Sequence, residues 1–136
     1  MNLSDESTSP NPLFLDANVV LEIVLARSHQ QKAREIHDQH AGRLHISALT
    51  AHLIVHFGQS IVDLPILRQL LQDYTIIELC EADFEWAFIN IRGNDYEDAL
   101  QLAVAIRSGC QKFATFDQGL FNLYKELSSI EVELIT

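Results

Sequence analysis

Residues 13–21 have the sequence Leu-Phe-Leu-Asp-Ala-Asn-Val-Val-Leu. Its first three residues are continuously apolar, which is typical of a short buried strand, and Asp16 follows them directly. Asn18 is predicted to cap a helix that begins at Val19. Because sites in parallel α/β sheets lie at the carboxyl ends of strands, Asp16 is either part of a helix entry or the first ligand of an active site.

Length and composition predict one domain of ordinary size. The chain has 136 residues, and 48% of them are hydrophobic, which is enough to bury a substantial core. Residues 1–11 are polar and are predicted to form a flexible leader, and residues 12–136 are predicted to form the domain. The apolar runs are too short to cross a membrane, and no signal peptide is recognisable. The two cysteines lack metal-ligand spacing, which favours a reducing, cytoplasmic setting.

The charge of the chain excludes one mode of nucleic-acid binding. The formal net charge is −10, with 19 acidic residues against 9 Lys and Arg. This balance argues against a protein that holds nucleic acid mainly by a basic surface. It is compatible with an enzyme whose acids surround a divalent cation, because the metal then supplies the local positive charge.

Apolar, β-branched segments alternate with helical patterns along the chain. This alternation predicts an α/β fold with three layers and a mainly parallel sheet of four or five strands flanked by helices. The five glycines do not form a phosphate-binding loop, so nucleotide-binding motifs of that kind are excluded. The strands are predicted at residues 13–15, 44–46, 74–79, 112–116 and 130–134.

Several short polar residues are predicted to begin helices. Ser28 is expected to cap a helix over residues 29–40, and Ser47 is expected to cap the helix that follows the second strand. Asn94 is expected to open a further helix, with Glu97 completing a capping box.

Three carboxylates fall at strand ends or helix starts. Asp16 follows the first strand, Asp98 lies in the first turn of a helix, and Asp117 follows the fourth strand. In a parallel sheet these positions share one edge, so the three side chains can converge. Oxygen ligands of this kind suit Mg²⁺ or Mn²⁺, and such an ion can activate water and stabilise charge on a phosphate.

Four short segments follow one another along the chain. They are Leu-Phe-Leu-Asp-Ala-Asn at 13–18, Ile-Ser-Ala-Leu-Thr at 46–50, Tyr-Glu-Asp-Ala-Leu at 96–100 with Ala103 and Ala105, and Thr-Phe-Asp at 115–117. Taken in this order, they resemble the PIN domain family, in particular the small VapC-type toxins of bacterial toxin–antitoxin pairs. The resemblance extends over about residues 12–136.

The resemblance implies a metal-dependent endoribonuclease with a compact parallel sheet. It implies that Asp16, Asp98 and Asp117 are catalytic ligands of Mg²⁺ or Mn²⁺, and that Asn18 and Thr115 are polar residues that shape the site. It also implies an RNA substrate, a homodimer and a small antitoxin protein as partner.

One position departs from the family pattern. The family usually has a glutamate in the helix after Ile-Ser-Ala-Leu-Thr, and His52 is aligned with that glutamate here. An imidazole brings no negative charge and prefers softer metals than Mg²⁺. Asp95, one helical turn before Asp98, is a candidate for partial replacement of the missing charge.

Two other functions are compatible with strand-end acids. A degenerate PIN domain would bind a protein or RNA without cutting it, and His52 favours this alternative. A signalling receiver domain would need a paired acid before the first helix and a lysine after the last strand, and neither is present.

His52 and His56 are spaced for a transition metal, but without a glutamate between them an exposed or partner-facing pair is the preferred interpretation.

Overall fold

Five short parallel strands form one sheet in the computed structural model, which describes residues 11–136. The spatial order of the strands is β3-β2-β1-β4-β5, so the first strand is the central one. The predicted α/β fold with a parallel sheet is therefore confirmed. The strands are β1 (Leu13–Leu15), β2 (Leu44–Ser47), β3 (Thr75–Ile77), β4 (Lys112–Thr115) and β5 (Glu131–Leu134).

Helices connect these strands throughout the described part of the chain. The two strands that flank β1 are β2 and β4, and the register pairs Leu13 with Leu44 on one side and with Lys112 on the other. The helices are α1 (Ala17–Val24), α2 (Gln30–Gln39), α3 (Ala48–Gly58), α4 (Leu64–Leu71), α5 (Glu81–Asn90), α6 (Tyr96–Arg107) and α7 (Gln118–Tyr124).

The sheet buries a separate apolar layer on each face, because successive strand residues point in opposite directions. Leu13 and Leu15 of β1 pack with residues of α1 to α4. Phe14 points the other way and stacks on Phe113 of β4, with ring centroids 5.5 Å apart, among residues of α6 and α7. β1 and β4 pair side by side between the two layers, and this pairing places the ends of both strands at one edge of the sheet.

The first helix begins earlier than the sequence predicted. Its N-cap is Asp16, whose side chain accepts from the backbone N–H of Ala17, and the predicted cap Asn18 lies within the first turn. The prediction of Asn18 as cap was wrong because the buried strand ends at Leu15 and leaves Asp16 in an extended conformation, the geometry of an N-cap. The helix also ends at Val24, before a left-handed residue, Ala26, with φ of 50°.

Two other cap predictions are off by one residue, and one is confirmed. The cap of α2 is His29, not Ser28, and it makes no side-chain capping bond. The cap of α6 is Asp95, not Asn94, and its carboxylate accepts from the N–H of Asp98. Ser47 caps α3 as predicted, accepting from the N–H of Thr50 at 3.0 Å. At α6 the neighbours Asn94 and Asp95 have similar cap preferences. At α2 the N–H of His29 instead donates to the buried carboxylate of Glu22 at 2.7 Å.

The third strand is shorter than predicted: it covers three residues, Thr75–Ile77, instead of 74–79. Except for Asn11, the predicted leader lies outside the described residues. Within residues 11–136, no helix has the length and apolar character needed to cross a membrane.

Candidate active site

Asp16 is held in one orientation at the carboxyl end of β1. It is buried, with 5% of its surface exposed, and its Oδ1 accepts from the N–H of Ala17 at 2.8 Å. Its Oδ2 accepts from the hydroxyl of Thr115 at 2.8 Å and from the amide of Asn18 at 3.0 Å. Both carboxylate oxygens are thus satisfied in a buried position, which fixes the direction in which the remaining lone pairs point.

Thr115 and Asn18 tie the ends of two adjacent strands together. The hydroxyl oxygen of Thr115, which donates to Asp16, also accepts from the backbone N–H of Asp117 at 3.0 Å. The side-chain oxygen of Asn18 accepts from the N–H of Phe116 at 3.4 Å. These two polar residues therefore hold the backbone at Phe116 and Asp117 against the end of the first strand.

Asp117 is both an acid of this edge and the N-cap of α7. Its Oδ1 accepts from the N–H of Leu120 at 3.1 Å, and the residue is exposed to solvent. No hydrogen bond within the described residues occupies its Oδ2. The capping bond holds the carboxyl group, and one oxygen stays available to a ligand.

Asp98 reaches the same edge from α6. The helix is anchored one turn later by Gln101, which is buried, accepts from the hydroxyl of Ser47 at 2.7 Å and donates to the hydroxyl of Thr50 at 2.8 Å. Ser47 ends β2, so this network joins α6 to the sheet and to α3. It sets the depth at which Asp98 lies over the strand ends.

The three predicted ligands line one cavity of about 360 Å³. Asp95 lies there too, as does Glu97, which was predicted only as part of a capping box and not as a site residue. A larger apolar groove of about 480 Å³ between α3 and α4 contains no acid. The complete lining of the acidic cavity is Asp16, Ala17, Asn18, Leu21, Arg27, Leu53, Phe57, Asp95, Glu97, Asp98 and Asp117.

The acids raise one another's pKa values. Burial raises the pKa of Asp16 to about 6, with the charges of Asp117 and Glu97 adding to it and the bond from Thr115 opposing it. Burial, followed by the charges of Asp16, Asp95, Asp117 and Glu97, raises the pKa of Asp98 to about 7. Desolvation and Asp95 raise the pKa of Glu97. Within the described residues no Lys or Arg forms an ion pair with Asp16, Asp98, Asp117 or Glu97, so negative charge is concentrated here.

This donor set fits a hard divalent cation. Carboxylate oxygens are the ligands that Mg²⁺ and Mn²⁺ prefer, and a cation would offset both the burial and the mutual repulsion that raise these pKa values. Within residues 11–136, no three His, Cys, Asp or Glu side chains lie close enough together to hold one ion. To hold one ion together, Asp98 and Asp117 would have to come closer to Asp16. Within residues 11–136, no hydrogen bond holds the Asp98 carboxylate or Oδ2 of Asp117 in place.

His52 does not lie among the acids. It is exposed on α3 and stacks on His56, with ring centroids 5.7 Å apart. The residues of α3 that line the acidic cavity are Leu53, the next residue, and Phe57, one turn further on. One residue along a helix is a rotation of about 100°, so a shift of one position in the alignment changes which side chain faces the site.

Sequence reasoning missed four residues of the cavity lining that bear on its chemistry. The position of Glu97 could have indicated this residue, since it directly precedes Asp98 in the first turn of a helix, where acidic residues are favourable. The sequence gave no such indication for Arg27, Leu53 and Phe57, because their place depends on how α1, α3 and the loop after α1 pack together.

Comparison with known proteins identifies the family. The sequence model of the PIN domain matches residues 13–126, and the chain therefore belongs to the PIN domain family. No curated protein matches the sequence significantly.

Solved structures of toxin–antitoxin systems share the fold. A toxin–antitoxin complex from Klebsiella pneumoniae has a TM-score of 0.72 at 16% identity, over 92% of this chain and 98% of the other. VapBC2 from Rickettsia felis, bound to a DNA fragment from its promoter, has a TM-score of 0.64 at 16% identity, over 91% and 98%. VapC20 of Mycobacterium tuberculosis, a toxin that cleaves the sarcin–ricin loop, has a TM-score of 0.65 at 12% identity, over 81% and 93%. At these identities the likeness establishes the fold.

Proposed function

We propose that the protein is a divalent-metal-dependent RNA endonuclease and the toxin of a toxin–antitoxin pair. The observation that carries this proposal is the convergence of Asp16, Asp98 and Asp117, from three different elements, on one cavity. The charges of Asp16 and Asp117 contribute to the raised pKa of Asp98, which indicates a shared electrostatic environment. Membership of the PIN family and the likeness to toxin structures support the same conclusion.

Each residue of the site has a definite task in this proposal. Asp16, Asp98 and Asp117 are the residues that would hold Mg²⁺ or Mn²⁺. The bound ion would lower the pKa of a water molecule and stabilise charge on the phosphate that is attacked. Thr115 and Asn18 keep the Asp16 carboxylate oriented, and Asp95 adds negative charge at the rim while capping α6.

The test of metal-dependent catalysis uses isosteric variants of the acids. Asp16→Asn, Asp98→Asn and Asp117→Asn are each expected to abolish cleavage of RNA in the presence of Mg²⁺ or Mn²⁺. Asp63→Asn is the matched control, because Asp63 is exposed and makes no side-chain capping bond. Calorimetric titration of Mn²⁺ into the metal-free protein should show binding that Asp16→Asn loses. Cleavage that survives all three substitutions would refute the proposal.

The alternative is a PIN domain that binds RNA or protein without cutting. The observation that favours it is the apolar wall of the cavity, where α3 contributes Leu53 and Phe57 in place of a carboxylate. Leu53→Glu would supply one acid from α3, and His52→Glu is the matched control on the exposed side of that helix. Metal-dependent cleavage that is absent from the native protein and created by Leu53→Glu alone would support the alternative.

The remaining expectations about partners are also proposals. We propose a homodimer in the cytoplasm that a small antitoxin protein silences. Light scattering of the purified chain checks the dimer, and a monomeric mass at micromolar concentration would contradict it. Co-expression with the product of a neighbouring gene, followed by copurification and loss of RNA cleavage, checks the antitoxin.

A further inference from the structure

One basic side chain lies at the acidic cavity. All nine Lys and Arg residues fall within the described residues 11–136, and of these only Arg27 lines the cavity. About half of the Arg27 side chain is exposed, and its one ion-pair partner among residues 11–136 is Glu22, at 4.0 Å from Nη1. That separation is the outer limit of an ion pair, so most of the guanidinium N–H donors are available to another group.

The loop that carries Arg27 is held firmly. Glu22 of α1 is buried, and its Oε1 accepts from the backbone N–H of His29 at 2.7 Å. The N–H of Arg27 donates to the carbonyl of Glu22 at 3.0 Å, and Ala26 takes a left-handed conformation to allow this turn. A non-glycine residue adopts such a conformation where the surroundings impose it. The loop thus delivers Arg27 to the cavity at a fixed point.

A ring contact connects the same loop to the site itself. The imidazole of His29 stacks on Phe116, with centroids 4.9 Å apart and planes 19° from parallel. Phe116 stands between Thr115 and Asp117, so the loop packs directly against the strand end that carries two site residues. The backbone at Arg27 is therefore held close to the strand end that carries Thr115 and Asp117.

An exposed aromatic ring lines the same cavity. Although phenylalanine is a large apolar residue, Phe57 of α3 is 46% exposed. Its ring makes an edge-to-face contact with His56, with centroids 5.0 Å apart. Nucleic-acid bases stack on such rings, and this contact tolerates any base. A guanidinium fork recognises a phosphate with two parallel hydrogen bonds. Phosphate and base are the two parts of a nucleotide that these side chains can hold.

We propose that Arg27 and Phe57 hold the RNA nucleotide next to the acidic cluster, with Arg27 on a phosphate and Phe57 stacked on a base. The inference rests on the proposed function and adds to it the residues that bind the substrate. Glu22 is a positioning residue, since it acts through the loop. In a chain with a net charge of −10, a cation at this point offsets the repulsion that the site exerts on RNA.

Steady-state cleavage of a short single-stranded RNA tests these roles. Arg27→Ala is expected to raise KM about 10- to 100-fold, the loss typical of a charge-assisted hydrogen bond, with a smaller change in kcat. Arg27→Lys should recover part of the loss, because lysine keeps the charge without the planar fork. Phe57→Leu should raise KM about tenfold through loss of stacking. The controls are Arg68→Ala and Phe88→Leu, which change an arginine and an exposed phenylalanine outside the acidic cavity.

Direct binding separates this inference from the proposed function. Fluorescence anisotropy of a labelled RNA, measured with Ca²⁺ present, needs no cleavage. Arg27→Ala should weaken binding and reduce the slope of log affinity against log salt by about 0.7, the value for one phosphate contact to a single strand. Thermal unfolding of each variant checks that the fold is retained.

The outcomes are distinct for the two proposals. RNA binding that depends on Arg27 in a protein that never cleaves would refute the nuclease and support the binding roles. Cleavage with an unchanged KM in Arg27→Ala and Phe57→Leu would overturn the inference and leave the nuclease intact. RNA binding that is equal in the native protein and both variants, or absent from all of them, would also overturn the inference.

Discussion

The hydroxyl of Thr115 donates a 2.8 Å hydrogen bond to Oδ2 of Asp16, although 99 positions separate the two residues in the sequence. Both residues are buried, and the bond spans the ends of β1 and β4 at the centre of the sheet. A hydrogen bond to a carboxylate favours its charged form and opposes the effect of burial on its pKa. The contact therefore links strand pairing to the charge of the principal site residue.

Removing that bond should raise the pKa of Asp16 further. Thr115→Val keeps the volume of the side chain and leaves a buried carboxylate oxygen with one donor fewer. We expect the acidic limb of the cleavage rate to move to higher pH, and the free energy of unfolding to fall by about 1–3 kcal/mol at neutral pH. A pH–rate profile and chemical denaturation measure the two effects. Thr115→Ser, which keeps the hydroxyl, is the control, and an unchanged profile in Thr115→Val would contradict the prediction.

Gln101 should matter for both stability and cleavage, although its side-chain hydrogen bonds within residues 11–136 go to Ser47 and Thr50 and not to the acids. Gln101→Leu leaves the hydroxyls of Ser47 and Thr50 without their amide partner in a fully buried position. We expect a loss of about 2–3 kcal/mol in the free energy of unfolding, and reduced cleavage because α6 no longer holds Asp98 at its depth. Urea denaturation measures the first effect. Gln72→Leu, at an exposed helix end, should change neither quantity.

The ion pair of Asp83 and Arg107 should contribute more to the free energy of unfolding than an exposed ion pair does, although the arginine is partly exposed. Asp83 is 1% exposed and accepts from Nε of Arg107 at 2.7 Å and from Nη2 at 3.1 Å. Arg107→Ala leaves a buried charge without its partner and should cost about 3 kcal/mol of stability. Lys112→Ala breaks an exposed pair with Glu133 and should cost less than about 1 kcal/mol. Equal losses in the two variants, measured by urea denaturation, would contradict the prediction.

The sequence predicted the fold and the convergence of three acids because both depend on local patterns. Apolar strands alternate with amphipathic helices, and strand ends in a parallel sheet share one edge whatever the details of packing. The sequence did not predict which residue of α3 faces the cavity: Leu53 lines it, while His52 lies outside it. The rotation of a helix about its axis is set by tertiary contacts, and the short motif before α3 does not encode it.

Arg27 shows a second limit of sequence reasoning. Its place at the cavity depends on a left-handed turn at Ala26 and on a buried carboxylate, Glu22, that accepts from the N–H of His29. An alanine carries no signal for such a turn, since glycine and asparagine are the residues that usually adopt it. The site residues with strong positional signals were predicted, and those delivered by an irregular loop were not.

The raised pKa values of the acids predict that the metal-free protein loses stability as the pH rises. The folded protein holds protons on Asp16 up to about pH 6 and on Asp98 up to about pH 7, whereas the unfolded chain releases them near pH 4. The stability that these groups contribute is therefore complete below pH 4 and is lost as the pH rises through 6 and 7. Burial lowers the pKa of His45, and that residue acts in the opposite direction.

The measurement is thermal unfolding in chelator at pH 5, 6.5 and 8, for the native protein and for Asp98→Asn. Since His45 is present in both proteins, the difference between their curves isolates the acid. After allowance for solvent screening at the partly exposed Asp98, we expect it to reach about 1 kcal/mol, or several degrees in Tm, at pH 8. Mn²⁺ should raise the Tm of the native protein at pH 8 more than at pH 5, because protons and metal compete for the same oxygens. Asp63→Asn should follow the native curve, and parallel native and Asp98→Asn curves would show that the pKa of Asp98 is not raised in the folded protein.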